Sequence, residues 1–192
     1  MTEPRIRFCP QCSGELGPRE DDGRVRLACG SCGFIFYRNP LPGVAVALVE
    51  RERVLLVRRR SSLFDGMWCI PCGYVEIDET VEEAARREFR EETGLEVEVG
   101  EVVFVHSSFE VADRPVVGIW FRGRVVGGEM APGEGVREVA FFPLEAPPAE
   151  LAFEGDRLVI DMLRRDARGN MEVAEPGRVR SERREGAIET AP

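Results

Sequence analysis

GYVEIDETVEEAARREFREETGL, residues Gly73 to Leu95, is the stretch on which the reading of the chain turns. It opens on a glycine turn, continues through strong helix formers and ends among carboxylates. The pattern predicts a helix starting near Glu79-Thr80 and stopping at Thr93-Gly94, where glycine supplies the C-terminal cap. Val81, Ala84, Ala85 and Phe89 recur at helical spacing and form its core-facing stripe. On such a helix Glu88, Glu91 and Glu92 stand at i, i+3 and i+4, within roughly 100° of arc, and so share a face. Like charges at that spacing cost an isolated helix about 0.2–0.5 kcal/mol per pair, so structure alone does not favour them. A hard divalent cation resolves the conflict.

The spelling also carries a resemblance. Gly73, five residues, Glu79, seven residues, then Arg87-Glu88-Phe89-Arg90-Glu91-Glu92-Thr93-Gly94-Leu95 is similar to the Nudix box, with Phe89 and Leu95 in the two slots that take a large apolar side chain. A match with fixed gaps over this length is far more specific than a lone glycine motif. The resemblance implies an α/β fold, a mixed-sheet α/β/α sandwich over residues 39 to about 168, and hydrolysis of a diphosphate bond joining a nucleoside to another group, with Mg2+ or Mn2+ required. By position in the box it assigns Glu88, Glu91 and Glu92 to the metal, with Glu79 as a supporting or additional ligand. The family also recruits the backbone carbonyl before the box glycine, here that of Cys72. Arg87 lies four residues before Glu91 and can pair with it, holding the carboxylate in register. Glu88 and Glu134, the latter in the loop Gly127 to Gly135, are the two candidates for general base. Glu82 and Glu83 read as solvated helix charge, and Arg90 as pointing outward.

Toward the amino terminus, Cys9/Cys12 and Cys29/Cys32 form two Cys-x-x-Cys pairs with sixteen residues between them. Each lies in a tight turn (CPQCSG, CGSCGF) where Pro10, Gly14, Gly30 and Gly33 let the chain fold back, the spacing of a zinc site. Four thiolates leave no open position, so such a zinc is structural. Redox-active or disulfide-bonded pairs are the competing reading, which the absence of an export signal disfavours. Flanking segments Ile6–Phe8, Arg24–Ala28 and Phe34–Tyr37 read as short strands, and residues 1–38 resemble a zinc ribbon. Asn39 to Gly43 is rich in turn formers and reads as a linker. Val44–Val49 and Val54–Arg58 read as a buried hairpin, and Ser61–Trp68 as a loop leading into a strand at Cys69-Ile70. Cys69 and Cys72 repeat the Cys-x-x-Cys spacing without a second pair. They read as core thiols or as a redox-sensitive lid.

Beyond the box, Val97–Ser107, Pro115–Val126 and Arg137–Phe142 read as strands and Asp156–Arg165 as a helix. From Gly169 the composition turns to Gly, Pro, Arg and Glu without periodicity, so residues 169–192 are expected to be a disordered tail. The hydrophobic fraction of 43% supports a core, and the net charge of −9 argues against a general nucleic-acid or membrane-surface binder. Residues 41–168 hold the imbalance, with sixteen Arg against twenty-five acids; residues 1–40 carry six against five. All twenty-six basic residues are Arg, as a GC-rich genome or a hot habitat would favour. With no apolar run long enough to span a bilayer and no signal peptide, the expectation is a cytoplasmic protein.

A ribbon directly before a Nudix-like domain resembles the NADH pyrophosphatases, with a connection like Phe36-Tyr37 to Pro42. Departures are visible: no segment matches their additional amino-terminal domain or their Ser-Gln-Pro-Trp-Pro-Phe-Pro-like stretch. The proline that ADP-ribose hydrolases tend to carry about sixteen residues after the box is Val111 here, and the coenzyme A signature is missing. The expected substrate is a nucleotide-type small molecule, ADP-ribose or an NADH-like dinucleotide, with a nucleoside triphosphate as alternative. A Nudix-like domain that only binds a ligand and regulates is the other class, against which the intact box speaks. Phe109, Trp120, Tyr74 and Trp68 are candidates for stacking a base, although core packing explains each. His106, the single histidine, reads as structural. The ribbon's Arg5, Arg7, Arg24 and Arg26 are nearly cancelled by acids, so no nucleic-acid groove is indicated. Many relatives pair, so a homodimer is possible.

Overall fold

Strand β4 (Leu41–Glu50) organises the larger part of the molecule because its residues alternate between two apolar faces. Val44, Val46 and Leu48 enter one buried cluster, whereas Ala45 and Ala47 enter another on the opposite side. A strand buried on both faces must sit inside a sheet covered on both sides. In the computed structural model, which describes residues 6–61, 63–111 and 114–168, that is its position. The expected tail (169–192) and Arg5 lie outside the described residues.

The large sheet runs β10-β5-β4-β9-β8, comprising β5 (Arg53–Arg59), β8 (Leu95–Ser108), β9 (Val116–Gly128) and β10 (Val136–Pro143) around β4. Short β6 (Trp68–Cys69) pairs with β5 and β7 (Cys72–Tyr74) with β4. The β4–β9 pair is parallel and the others antiparallel, which makes the sheet mixed. Helix α1 (Val81–Thr93) packs Ala84, Ala85 and Phe89 on the Val44 face. Helix α2 (Glu154–Ala167) packs Val159, Ile160 and Leu163 on the Ala45 face. Each fully buried Val, Leu, Ile or Phe is worth about 1.5–3 kcal/mol, so the two clusters are the main cohesive term. Among the described residues no helix is long and apolar enough to cross a membrane.

The ribbon is a three-stranded sheet, β1 (Leu16–Asp21), β2 (Arg24–Cys29) and β3 (Ile35–Phe36). Two sequence expectations are corrected. Ile6–Phe8 is no strand; only Phe8 bridges to Glu15, and the hairpin partner of β2 is β1. Its turn, Asp22-Gly23, has φ of 52° and 74°, the left-handed pair that matches the twist of a two-residue hairpin. The Asn39–Gly43 stretch is not wholly linker, since β4 begins at Leu41. Pro42 stands beside the first residue of the strand, a position where proline is tolerated, and its carbonyl accepts from Val75 N–H at 3.2 Å.

Candidate active site and zinc cluster

Thr80 begins α1 with a capping box: its hydroxyl accepts from Glu83 N–H, and the Glu83 carboxylate accepts from Thr80 N–H at 2.8 Å. Glu83 is therefore a cap and not merely solvated charge, a signal present in the spelling T-V-E-E that the charge reading passed over. At the other end Gly94 adopts φ 73°. Beyond it, the loop before β10 folds back onto the helix end. The N–H groups of Ala131, Gly133 and Glu134 donate to the carbonyls of Thr93, Glu92 and Glu91 at 2.9, 3.1 and 3.1 Å. These are carbonyls a helix end leaves unpaired. Candidate base Glu134 is thus tethered to the C-terminus of α1.

Arg87 is the centre of the carboxylate face. Its guanidinium donates to Glu79 at 2.5 and 2.9 Å, to Glu88 at 2.9 Å, to Glu91 at 3.2 Å and to the Tyr74 carbonyl at 3.1 Å. The bonds to Arg87, with one from Glu76 N–H, hold the Glu79 carboxyl down to about 2. Glu79 therefore grips Arg87, and Arg87 gathers the box. Arg90 is exposed, as is Glu82.

Glu88 packs directly on Gly73: a β-carbon there would come within 1.9 Å of the Glu88 carboxyl carbon, so any larger residue would push that carboxylate aside. Glu92 accepts from Cys72 N–H at 2.9 Å, and burial pushes its carboxyl up to about 8, with Glu88 and Asp156 adding repulsion and Arg59 opposing it. A half-buried carboxyl crowded in this way needs a proton or a cation. Oxygen donors such as those of Glu88, Glu91 and Glu92 are the kind that a hard divalent ion takes.

Strand β7, Cys72-Gly73-Tyr74, is also the wall of an open cleft. Trp120 lines this cleft, and Gly118 and Gly155 leave just enough room for its ring, since a β-carbon at either would lie 2.6 or 2.4 Å from it. The indole N–H donates to Asp156 at 2.9 Å, and the other Asp156 oxygen accepts from Ile70 N–H at 3.0 Å. Complete burial pushes that carboxyl up to about 7. Of the other aromatic candidates, Tyr74 lines the cleft, Trp68 is buried edge-on to Phe142, and Phe109 is exposed. His106 stacks on Phe104 in β8. Cys69 is fully buried and Cys72 lines the cleft. Sequence reasoning missed Arg59, Phe153 and Asp156 as lining residues; Asp156 opens the run read as a helix, and Arg59 and Phe153 lie outside the runs read as strand or helix.

In the ribbon the four sulfurs come within 4.8 Å of one another, with Cys9–Cys32 at 3.6 Å and Cys12–Cys29 at 3.5 Å. Ligands about 2.3 Å from a tetrahedral zinc would be about 3.8 Å apart, so the cage fits that ion. The two knuckles repeat one geometry: Cys9 N–H to Gly14 carbonyl and Ser13 N–H to Cys9 carbonyl, then Cys29 N–H to Phe34 carbonyl and Gly33 N–H to Cys29 carbonyl.

Comparison with known proteins agrees. The NUDIX domain matches residues 39–163 and the Nudix N-terminal zinc-ribbon family matches residues 7–38. An ADP-ribose pyrophosphatase of Methanocaldococcus jannaschii is 40% identical over 132 residues, covering 68% of this chain and 78% of its own. An NAD-capped RNA hydrolase of Chromobacterium violaceum is 34% identical over 148 residues, 74% of this chain and 52% of that one. A third relative, from Vibrio vulnificus and of the same name, is matched over 34% of its length, so the chain spans only a third to a half of these bacterial proteins. The crystal structure of a NUDIX hydrolase from Nitrosomonas europaea superposes with a TM-score of 0.77 at 29% identity, over 85% of this chain and 94% of that one. With its box on α1 and the preceding turn, and its whole central sandwich matched, the chain belongs to the Nudix hydrolase family.

Proposed function

We propose that this protein cleaves the diphosphate of a nucleoside diphosphate joined to a second moiety, ADP-ribose or an NADH-like dinucleotide, with Mg2+ or Mn2+ as the working ion. Residues 39–168 carry the reaction, and residues 1–38 form a module held by structural zinc. One observation carries the reading: β7 is at once the wall of the cleft and the footing of the box. Cys72 receives Glu92, Gly73 receives Glu88 and Tyr74 receives Arg87. A nucleoside in the cleft therefore brings its diphosphate to the carboxylates.

Glu88, Glu91 and Glu92, with the Cys72 carbonyl, would hold the ion, and Glu79 would act through Arg87. When bound, the ion supplies Lewis acidity and an activated water, and offsets the repulsion between substrate and carboxylates. Arg87 fixes Glu88 and Glu91 in place beforehand, so little reorganisation is needed during reaction. Glu88, beside Gly73, and Glu134, at the helix end, are the candidates to take the proton of the attacking water.

Product analysis on a panel of ADP-ribose, NADH, NAD-capped RNA and nucleoside triphosphates with Mg2+ tests the proposal. AMP released from ADP-ribose or NADH is the expected result. Pyrophosphate from triphosphates alone would replace it with the alternative substrate class, and binding without turnover would make the domain a regulator. The RNA arm asks whether the second moiety extends to an RNA end, as the names of the bacterial relatives suggest for those proteins.

A further inference from the structure

Asp156, in the first turn of α2, is 1% exposed, and both of its carboxylate oxygens are turned to donors from distant parts of the chain. Oδ1 accepts from the indole N–H of Trp120, on β9, at 2.9 Å, and Oδ2 accepts from Ile70 N–H, just after β6, at 3.0 Å. Asp156 lines the cleft, but with its oxygens so placed it acts there through Trp120 and Ile70. Helix α2 does not need it for packing, since Val159, Ile160 and Leu163 already fill the Ala45 face. Burying a carboxyl against two neutral donors is unfavourable where an apolar side chain would fit. What the acid supplies is position: it joins β9 to the corner between β6 and β7, which share no strand pairing with it.

Trp120 is an aromatic wall of the cleft, with room for its ring left by Gly118 and Gly155 and Phe104 tilted against it at 55°. Gly155 stands next to Asp156, so one turn of α2 gives the ring both its space and its bond. Ile70 opens a three-residue corner in which each residue is tied. Asp156 takes Ile70 N–H, the Pro71 carbonyl accepts from Val46 N–H at 3.0 Å, and Cys72 N–H donates to Glu92 at 2.9 Å. Proline at the centre has a fixed φ, so a shift at Ile70 is passed on to Cys72 rather than absorbed. We propose that Asp156 is a positioning residue linking the two ends of the cleft, so that a nucleoside seated against Trp120 and a divalent ion held by Glu92 strengthen each other's binding. This rests on the placement of a nucleoside in the cleft proposed above. A ring fixed by a ligand fixes Asp156, and through the corner the amide that holds Glu92, so the ion meets a carboxylate already in place. By linkage each ligand must favour the other by the same factor.

The probe is adenosine, which carries no phosphate to place on the ion. Mn2+ is titrated into the zinc-loaded full chain with and without saturating adenosine, and adenosine with and without Mn2+, in wild-type, D156N and L163A proteins whose melting curves confirm folding. In D156N the side-chain amide turns an N–H toward Trp120 or Ile70, so one of the two ties is lost at unchanged size. L163A loosens α2 outside the cleft lining and controls for general destabilisation. In the wild type adenosine should tighten Mn2+ binding about 5-fold, and Mn2+ should tighten adenosine equally. The mutual tightening should vanish in D156N and persist in L163A. No tightening in the wild type, or full tightening in D156N, would overturn the link; so would equal loss in L163A, which marks a merely structural role. If D156N does not fold, W120F, which removes the indole donor and leaves the Ile70 bond, gives the same reading. ADP-ribose turnover in the same preparations separates the two proposals. Cleavage without mutual tightening, or without adenosine binding, removes only the role of Asp156. If neither ADP-ribose nor NADH is cleaved, the substrate class falls, and the factor measured with the nucleoside of the nucleotide that does bind still decides Asp156; binding of no nucleoside removes both.

Discussion

At the ribbon four sulfurs converge within 4.8 Å, whereas at α1 the carboxylates of Glu79, Glu88 and Glu91 are each held by one guanidinium. The sulfur cage is built by two backbone knuckles, and four thiolates brought this close would be held together by an ion. The carboxylate face brings an internal cation, Arg87, and is anchored to a helix with a large buried stripe. One site has the form of a cage that an ion would close; the other is already held together by its own side chains. That difference can be broken or sharpened by experiment.

The largest effect expected is from removing zinc. Structural zinc contributes about 10–16 kcal/mol in small Cys-rich modules. Chelation, or Cys29→Ser, should collapse hydrogen-exchange protection in β1 to β3 and leave α1 and β4 protected. Unchanged exchange in the ribbon would break the comparison.

Next comes Glu92→Gln, expected to lower turnover about 1,000-fold, or about 4 kcal/mol of transition-state stabilisation, with the fold intact. The same residue makes a pH prediction. Glu92 and Asp156 are raised from 4.5 to about 8 and from 3.8 to about 7, so each keeps its proton in the folded state after losing it in the unfolded one. Their contribution is fully present below about pH 4 and is lost as pH rises through 7 to 8. Glu79 acts in a lower window, its contribution being lost as pH falls from about 4.5 toward 2. Metal-free melting temperatures should therefore fall between pH 5 and 8, and Glu92→Gln should flatten part of that slope; an unchanged slope would sink the argument.

Gly73→Ala should cost roughly 10- to 100-fold in turnover by displacing Glu88, with about 1–3 kcal/mol of overpacking visible in thermal melts. Smallest is the ribbon pair. Ser13 and Gly33 occupy equivalent knuckle positions with φ of 59° and 79°. Gly33→Ala should lose about 1–2 kcal/mol, while Ser13→Gly should change zinc-bound stability by less than about 1 kcal/mol.

Much of this was legible in residue spelling because it is local. The helix of the box, its Gly94 stop, the four cysteines and the long strands follow from periodicity and spacing, which operate over a few neighbours. Strand β1 was hidden because Gly17 and Pro18 read against a strand, although Pro18 is harmless on the edge beside β2. The Asp22-Gly23 turn was the signal that could have revealed it. Most of the cleft was illegible for a different reason: Arg59 on β5 and Phe153 and Asp156 at the start of α2 are far apart in the chain and line one cleft only in the folded molecule. Nothing local distinguishes Arg59 from its neighbours Arg58 and Arg60.

The corner Ile70-Pro71-Cys72 is held from two sides, by Asp156 at Ile70 N–H and by Glu92 at Cys72 N–H. For anyone seeking to redesign substrate choice, this makes the inner end of the cleft poor ground, because remodelling α2 would pull on the carboxylates through three residues. The accessible ground is the rim, where Leu63 and Arg114 come from loops outside that frame. Diversification of such an enzyme should accumulate at those loops, leaving its chemistry undisturbed.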